Sequence, residues 1–181
     1  MITNQSFFID LFRNLVKKIS KNLIKISKGV CLMKKIIIAS DHGAVSLKQE
    51  IISFLKSNNC EVKDLGVNTE DSVDYPDIAL AACNEFNKGG YDFGILLCGT
   101  GIGMSIAANK VKSIRCAQVH DLFTAEMAKA HNNANFIAFG GRVKYSVPVI
   151  AMIDKFMKTN FSGDRHERRI AKIMAIEKSD C

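Results

Sequence analysis

From Lys34 onward, short apolar runs alternate with longer stretches in which apolar residues return every three or four positions. The short runs have the length of buried strands, and the longer stretches have the period of amphipathic helices. Lys35 to Ser40 predicts a strand, and Ala44 to Asn58 predicts a helix with Leu47, Ile51, Ile52 and Leu55 on one face. Glu61 to Leu65 predicts a second strand, closed by Gly66. Asp74-Tyr75-Pro76-Asp77 is a helix-entry signal with Pro76 near the first turn. That helix runs through Ile78 to Phe86 and stops near Gly89-Gly90. Phe93 to Cys98 predicts a third strand, and Met104 to Asn109 reads as the start of a helix. Ser113 to Val119 predicts a fourth strand, Leu122 to Ala130 a helix, and Asn135 to Phe139 a fifth strand ended by Gly140-Gly141. Val147 to Lys158 and the highly charged Asp164 to Lys178 are the last helices.

Strands alternating with helices of this length indicate an α/β protein with a parallel sheet covered on both faces. Right-handed crossovers make it a three-layer αβα Rossmann-like sandwich with a five-stranded parallel sheet. In such sheets ligands bind beyond the carboxyl ends of the strands.

Residues 1–32 follow another pattern. Phe7, Phe8, Leu11, Phe12, Leu15, Val16, Ile19, Leu23 and Ile24 repeat at helical spacing with lysines between them. A basic, acid-poor amphipathic segment suits a targeting peptide or a membrane-surface helix. The plainer reading is that the natural start is Met33, because Met33-Lys34-Lys35-Ile36 opens the first strand cleanly. We favour the plainer reading, and take 1–32 as an N-terminal extension and 33–181 as the domain.

The 181 residues suit one domain with a full core, and nearly half are apolar. The net charge of +7 raises the question of nucleic acid, but its location answers it. Segment 1–32 holds six lysines and arginines against Asp10, which is +5, so only +2 is left for the remainder. Without a basic stripe interleaved with aromatics, nucleic acid is not expected as a partner. No apolar run reaches the roughly 18 residues of a membrane span, so no membrane partner is expected either. The six cysteines are scattered and form no Cys-x-x-Cys, which fits reduced thiols in a cytoplasm.

Cys98-Gly99-Thr100-Gly101-Ile102-Gly103 carries the candidate chemistry. A strand runs into alternate glycines and then a helix, which leaves backbone N–H groups free to converge on an anion. A thiol beside such a nest is drawn towards thiolate, a competent base or nucleophile. It is neither a dinucleotide fingerprint nor a P-loop, since it is not the first strand–helix turn and no Gly-Lys-Ser/Thr follows.

Further polar groups fall near strand ends: Asp41-His42-Gly43 after the first strand, His120-Asp121 after the fourth and Gly141-Arg142 after the fifth. His131-Asn132 lies just past a helix, and Arg165, His166, Arg168 and Arg169 open the last one. Each has a plain structural explanation when taken alone. His42 suits a cap, His131 a helix C-terminal cation, Arg165 and Arg169 a solvated helix face, and Asp41 a strand-end cap. Their expected convergence on one edge of the sheet is what favours a site.

The sequence from Met33 to Cys181 resembles the ribose-5-phosphate isomerase B family, which includes the subunits of galactose-6-phosphate isomerase. The resemblance rests on Ile38-Ala39-Ser40-Asp41-His42-Gly43, Asp74-Tyr75-Pro76, Cys98 to Gly103, Ile106 to Lys110, His131-Asn132-x-x-Asn135, Phe139 to Arg142 and Arg165-His166-x-x-Arg169. It implies an aldose–ketose isomerase of the pentose phosphate pathway that interconverts ribose 5-phosphate and ribulose 5-phosphate with no metal or other cofactor. By resemblance, Cys98 is the base that moves a proton between C1 and C2, and His131 opens the furanose ring. Gly99, Thr100, Gly101, Ile102 and Gly103 would stabilise the enediolate. Asp41, His42, Asn132, Arg142, Arg165 and Arg169 would contact substrate, with Tyr75 bordering the site. One branch of the family uses a glutamate just after the glycine loop, where this chain has Met104, so the cysteine branch is expected. Dimers or tetramers with active sites at the subunit interface are also implied.

The residues agree with that chemistry independently. Isomerisation needs a base poised near neutral pH, an oxyanion nest and a cationic clamp for a phosphate, which arginine forks suit. The four histidines show no metal-ligand spacing. Galactose 6-phosphate or allose 6-phosphate remain alternative substrates. A non-catalytic sugar-phosphate or nucleotide-binding module is the alternative of another class, and it predicts loss of Cys98 or His131, both of which are present.

Overall fold

We describe residues 33–177 of a computed structural model. The amphipathic segment 1–32 and Lys178, the expected end of the last helix, lie outside the described residues.

Five strands form one parallel sheet: β1 (Lys35–Ser40), β2 (Glu61–Asp64), β3 (Phe93–Cys98), β4 (Cys116–Gln118) and β5 (Phe136–Gly140). Their order is β2-β1-β3-β5-β4. A short 3₁₀ turn, His42–Ala44, leads from β1 into α1 (Val45–Ser57). The remaining helices are α2 (Tyr75–Asn87), α3 (Ile102–Ala108), α4 (Leu122–Ala130), α5 (Val149–Lys158) and α6 (Arg165–Ile176).

Strand residues alternate between two buried faces, as the two-residue period of a strand requires. Ile36, Ile38, Ile95, Leu97, Ile137 and Phe139 pack against α1, α4 and α5. Ile37, Ala39, Leu96, Cys98, Phe136 and Ala138 pack against α2 and α3. Each fully buried aliphatic or aromatic side chain contributes about 1.5–3 kcal/mol. The three-layer sandwich read from the sequence is therefore the fold.

Several element boundaries shift by a residue or two from the sequence reading, and two of the differences have a visible cause. β4 is three residues long, and the chain just before it is held in large part by the Asn135 side chain. Ser113 has φ of 68°, and the Asn135 amide donates to its carbonyl at 2.7 Å. Arg115 N–H donates to Asn135 Oδ1 at 2.7 Å, so ladder pairing begins only at Cys116 opposite Phe136. α3 starts at Ile102, two residues early, because Gly101 caps it in the left-handed region at φ 79°.

α6 belongs to neither layer. Of its twelve residues only His166 is buried. Ile173 and Ile176 are 42% and 67% exposed.

Candidate active site

β1, β3 and β5 end side by side, and the turns after them are tied by their backbones. Asp41 N–H donates to the Leu97 carbonyl at 3.1 Å, Gly141 to Cys98 at 2.8 Å and Arg142 to Gly99 at 3.0 Å. A Cβ on Gly43 would lie 2.9 Å from Gly99 N, so the first and third turns touch. β1 has β2 on one side and β3 on the other, so this is where the strand order reverses. A parallel sheet offers a ligand crevice at such a point.

Cys98 is 5% exposed, and its sulfur accepts a hydrogen bond from Gly101 N–H at 3.0 Å. That donor points at the atom that would carry negative charge. Only glycine suits position 101, since φ is positive and a Cβ would lie 2.8 Å from the Phe139 carbonyl carbon. Thr100 is exposed at the tip, where its Oγ1 accepts from Ile102 N–H at 3.3 Å. Tyr75 lies against the loop so closely that a Cβ on Gly103 would meet its ring at 2.6 Å. Met104, at the glutamate position of the other branch, is fully buried among α2 and α3 core residues.

Asp41 is buried, and its Oδ1 accepts from Gly43 N–H at 2.8 Å, capping the 3₁₀ turn. His42 turns Nδ1 to Val73 N–H at 3.3 Å. His42, Arg142, Glu70, Gly141 and the first residues of α1 line a cavity of about 310 Å³. A larger cavity, about 770 Å³, lies between α6 and the segment 109–117, away from the cysteine loop.

His131, Asn132, Arg165 and Arg169 lie elsewhere. α4 starts after the carboxyl end of β4 and runs back along the sheet, so its last turn delivers His131 to the amino end of β5. β5 itself spans four residue steps, about 13 Å. The expected convergence of all site residues on one edge is therefore corrected within a single chain. Asp41, His42, Tyr75, Cys98 to Gly103 and Arg142 gather at the carboxyl edge, and the other four at the amino edge. The strand-end rule did not reach residues carried by a returning helix and by α6.

At the amino edge His131 stacks on His166, with ring centroids 4.1 Å apart and planes 9° apart. Arg165 Nε lies 3.4 Å from His166 Nε2 as a donor. Burial first, then His131, Arg165 and Arg169, hold His166 below the usual imidazole pKa. Arg115 supports the turn beneath them by donating to the Asn132 and Asn133 carbonyls at 3.2 and 2.7 Å. Asp121 is a helix cap: its carboxylate accepts Thr124 N–H at 2.7 Å, which lowers its pKa.

Three contributors were missed in the sequence. Tyr145 accepts from Gly140 N–H at 2.8 Å, and burial, with a smaller effect from nearby Cys98, raises its pKa. Gln118 donates to the Thr100 carbonyl at 2.9 Å and so steadies the loop. Arg115 falls inside the strand read as Ser113 to Val119, so nothing in the sequence set it apart. Burial pushes the Cys83 and Cys116 thiols up to about 12. Among the described residues no group of three or more His, Cys, Asp or Glu could hold a metal ion, and no helix is long and apolar enough to cross a membrane.

The family model described as Ribose/Galactose Isomerase matches residues 36–173, which include both groups of site residues. The chain belongs to this family. It is thereby an isomerase of phosphorylated sugars. A ribose-5-P isomerase B of Listeria innocua is 38% identical over 146 residues, covering 81% of this chain and 99% of that protein. A solved ribose-5-phosphate isomerase B of Clostridium thermocellum is 45% identical with a TM-score of 0.78, covering 81% of this chain and 99% of the other. That of Thermotoga maritima is 46% identical with a TM-score of 0.76, covering 78% and 98%.

Proposed function

We propose that the protein interconverts ribose 5-phosphate and ribulose 5-phosphate, with Cys98 as the base. The observation that carries this reading is the Gly101 N–H directed at the Cys98 sulfur at the reversal point of the sheet. The Cys98 thiolate takes the C2 proton of the open-chain aldose, the C2–H electron pair forms the C1–C2 double bond, and the C1 carbonyl oxygen becomes anionic. Free N–H groups of the 99–103 loop stabilise that enediolate. A proton passes from the C2 hydroxyl to the C1 oxygen, and the thiol then returns its proton to C1 as the C2 oxygen becomes the carbonyl. No oxidant or reductant is needed.

His131 moves a proton from the anomeric hydroxyl to the ring oxygen to open the furanose. Arg142, His42, Arg165 and Arg169 hold the phosphate, with Asp41 and Asn132 on the sugar. Because these groups lie at two edges of one sheet, the site is completed by a second copy: His131, Asn132, Arg165 and Arg169 of one chain meet Cys98 of the other. The exposed apolar residues of α6 (Ile173, Ile176) and of α3 (Ile102, Ile106) supply surface for that contact. Each copy lends and receives the same groups, as a twofold dimer requires.

The test is turnover of ribose 5-phosphate by the full chain with a chelator present, beside galactose 6-phosphate and allose 6-phosphate. Preference for the pentose supports the reading. Turnover of a hexose phosphate alone overturns the substrate assignment.

A further inference from the structure

Lys48 is a fully buried lysine, at 0% exposure. It lies one helical turn from Ile51 and two from Leu55, on the face of α1 that packs on the sheet. A buried ammonium is costly unless its protons are all met by oxygens. Three acceptors meet this one, and all come from one short stretch. Asp64 Oδ2 lies at 2.8 Å, the Val67 carbonyl at 2.7 Å and Asn68 Oδ1 at 2.9 Å.

That stretch is the start of the loop joining β2 to α2. Leu65 N–H donates to Ile38 at 2.9 Å and Val67 N–H to Ser40 at 3.0 Å, so its first part runs on beside β1. Its later part reaches the site: Glu70 lines the cavity shared by His42 and Arg142, and Val73 N–H donates to His42 Nδ1. Among the described residues no hydrogen bond fastens the loop between Asn68 and Val73, so the Lys48 cluster is its nearest anchor. α1 thus supplies both part of the cavity's lining, through Val45, Ser46 and Leu47, and the fastening of the loop that carries Glu70.

We propose that Lys48 is a positioning residue for the phosphate end of the site, holding the 64–73 loop so that Val73 pins His42 with Nδ1 accepting and its proton on Nε2. A ring nitrogen that accepts cannot carry the proton, so the bond selects the tautomer. The ring is then set to donate from Nε2. The relevance to substrate rests on the reading of this cavity given above; the effect on His42 does not.

The test uses the full chain with ¹⁵N-labelled histidine, comparing wild type with Lys48→Met and Asn68→Ala. Asn68→Ala removes one exposed acceptor, and it carries the test if Lys48→Met fails to fold. Histidine NMR is expected to show a single Nε2–H tautomer for His42 in wild type and a mixture in the variants. Inorganic phosphate should bind about tenfold more weakly to Lys48→Met and about two- to threefold more weakly to Asn68→Ala. KM for ribose 5-phosphate should rise in parallel with kcat little changed, since the Cys98 loop is fastened separately. A folded variant with the wild-type His42 spectrum and phosphate affinity overturns the proposal. Absence of ribose 5-phosphate turnover in wild type would instead count against the substrate reading, with the His42 spectrum still deciding the role of Lys48.

Discussion

At the carboxyl edge, Asp41, His42, Cys98 and Arg142 sit on turns knitted together by backbone hydrogen bonds of 2.8–3.1 Å. At the amino edge, His131 and Arg165 sit at helix ends with Arg169 one turn further along α6, and contacts of α6 and its C-cap Glu177 with the rest of the chain include those of His166 and Met174. One edge is preorganised by its own strands. The other presents cations on a helix whose apolar residues are exposed. The first arrangement suits groups that must hold a reacting carbon within tenths of an ångström. The second suits groups that are set in place when another surface covers them.

The strongest way to break this contrast is at the sulfur. Cys98→Ser should cut turnover at least about a thousandfold, because a hydroxyl is a far weaker base. Phosphate affinity should stay near wild type, as measured by calorimetry; near-normal turnover would end the base assignment. Gly101→Ala comes next. It forces a side chain into the left-handed region and against the Phe139 backbone. We expect about 1–3 kcal/mol lost in denaturant unfolding and a turnover loss of tenfold or more.

At the amino edge Arg165→Ala should raise KM about tenfold or more while changing kcat little, because the clamp grips ground state and transition state alike. Its thermal midpoint should be unchanged, as the side chain is exposed. An unchanged KM would place the phosphate elsewhere.

The smallest effect concerns a charge cluster with no part in the chemistry. Lys63, then Lys88 and Tyr91, hold Glu85 down at about 2. The unfolded chain binds that proton near 4.5, so stability from Glu85 is complete above about 4.5 and lost as pH falls towards about 2. Glu85→Gln should flatten that part of an unfolding-against-pH curve without altering turnover at neutral pH. An unaltered acid limb would mean the cluster contributes nothing.

Much of this molecule is legible in its sequence because two periods dominate it. Apolar runs of four to six residues had nowhere to go but a buried parallel strand, and β1 and β3 have the boundaries read for them. β4 was overread because period cannot reveal that the Asn135 side chain holds much of the chain at 113–115. Cys98 and its loop could be read because three alternate glycines fall within five residues and the strand before them is unmistakable. The amino-edge residues could be named but not placed. His131 and Arg165 are 34 positions apart, and their meeting depends on where a helix returns. Lys48 was illegible for the opposite reason: a lysine on an amphipathic helix reads as solvent-facing, and only the folded loop supplies its three acceptors.

The central claim is that one active site draws its base and its ring-opening acid from different chains. Cys98→Ser and His131→Asn should each be inactive on ribose 5-phosphate. Co-expressed with different affinity tags and isolated through both, the mixed dimer contains one site with neither substitution and one with both. We expect it to recover about half the wild-type turnover per dimer. A purified mixed dimer as inactive as its parents would place Cys98 and His131 in the same chain's site and contradict the account.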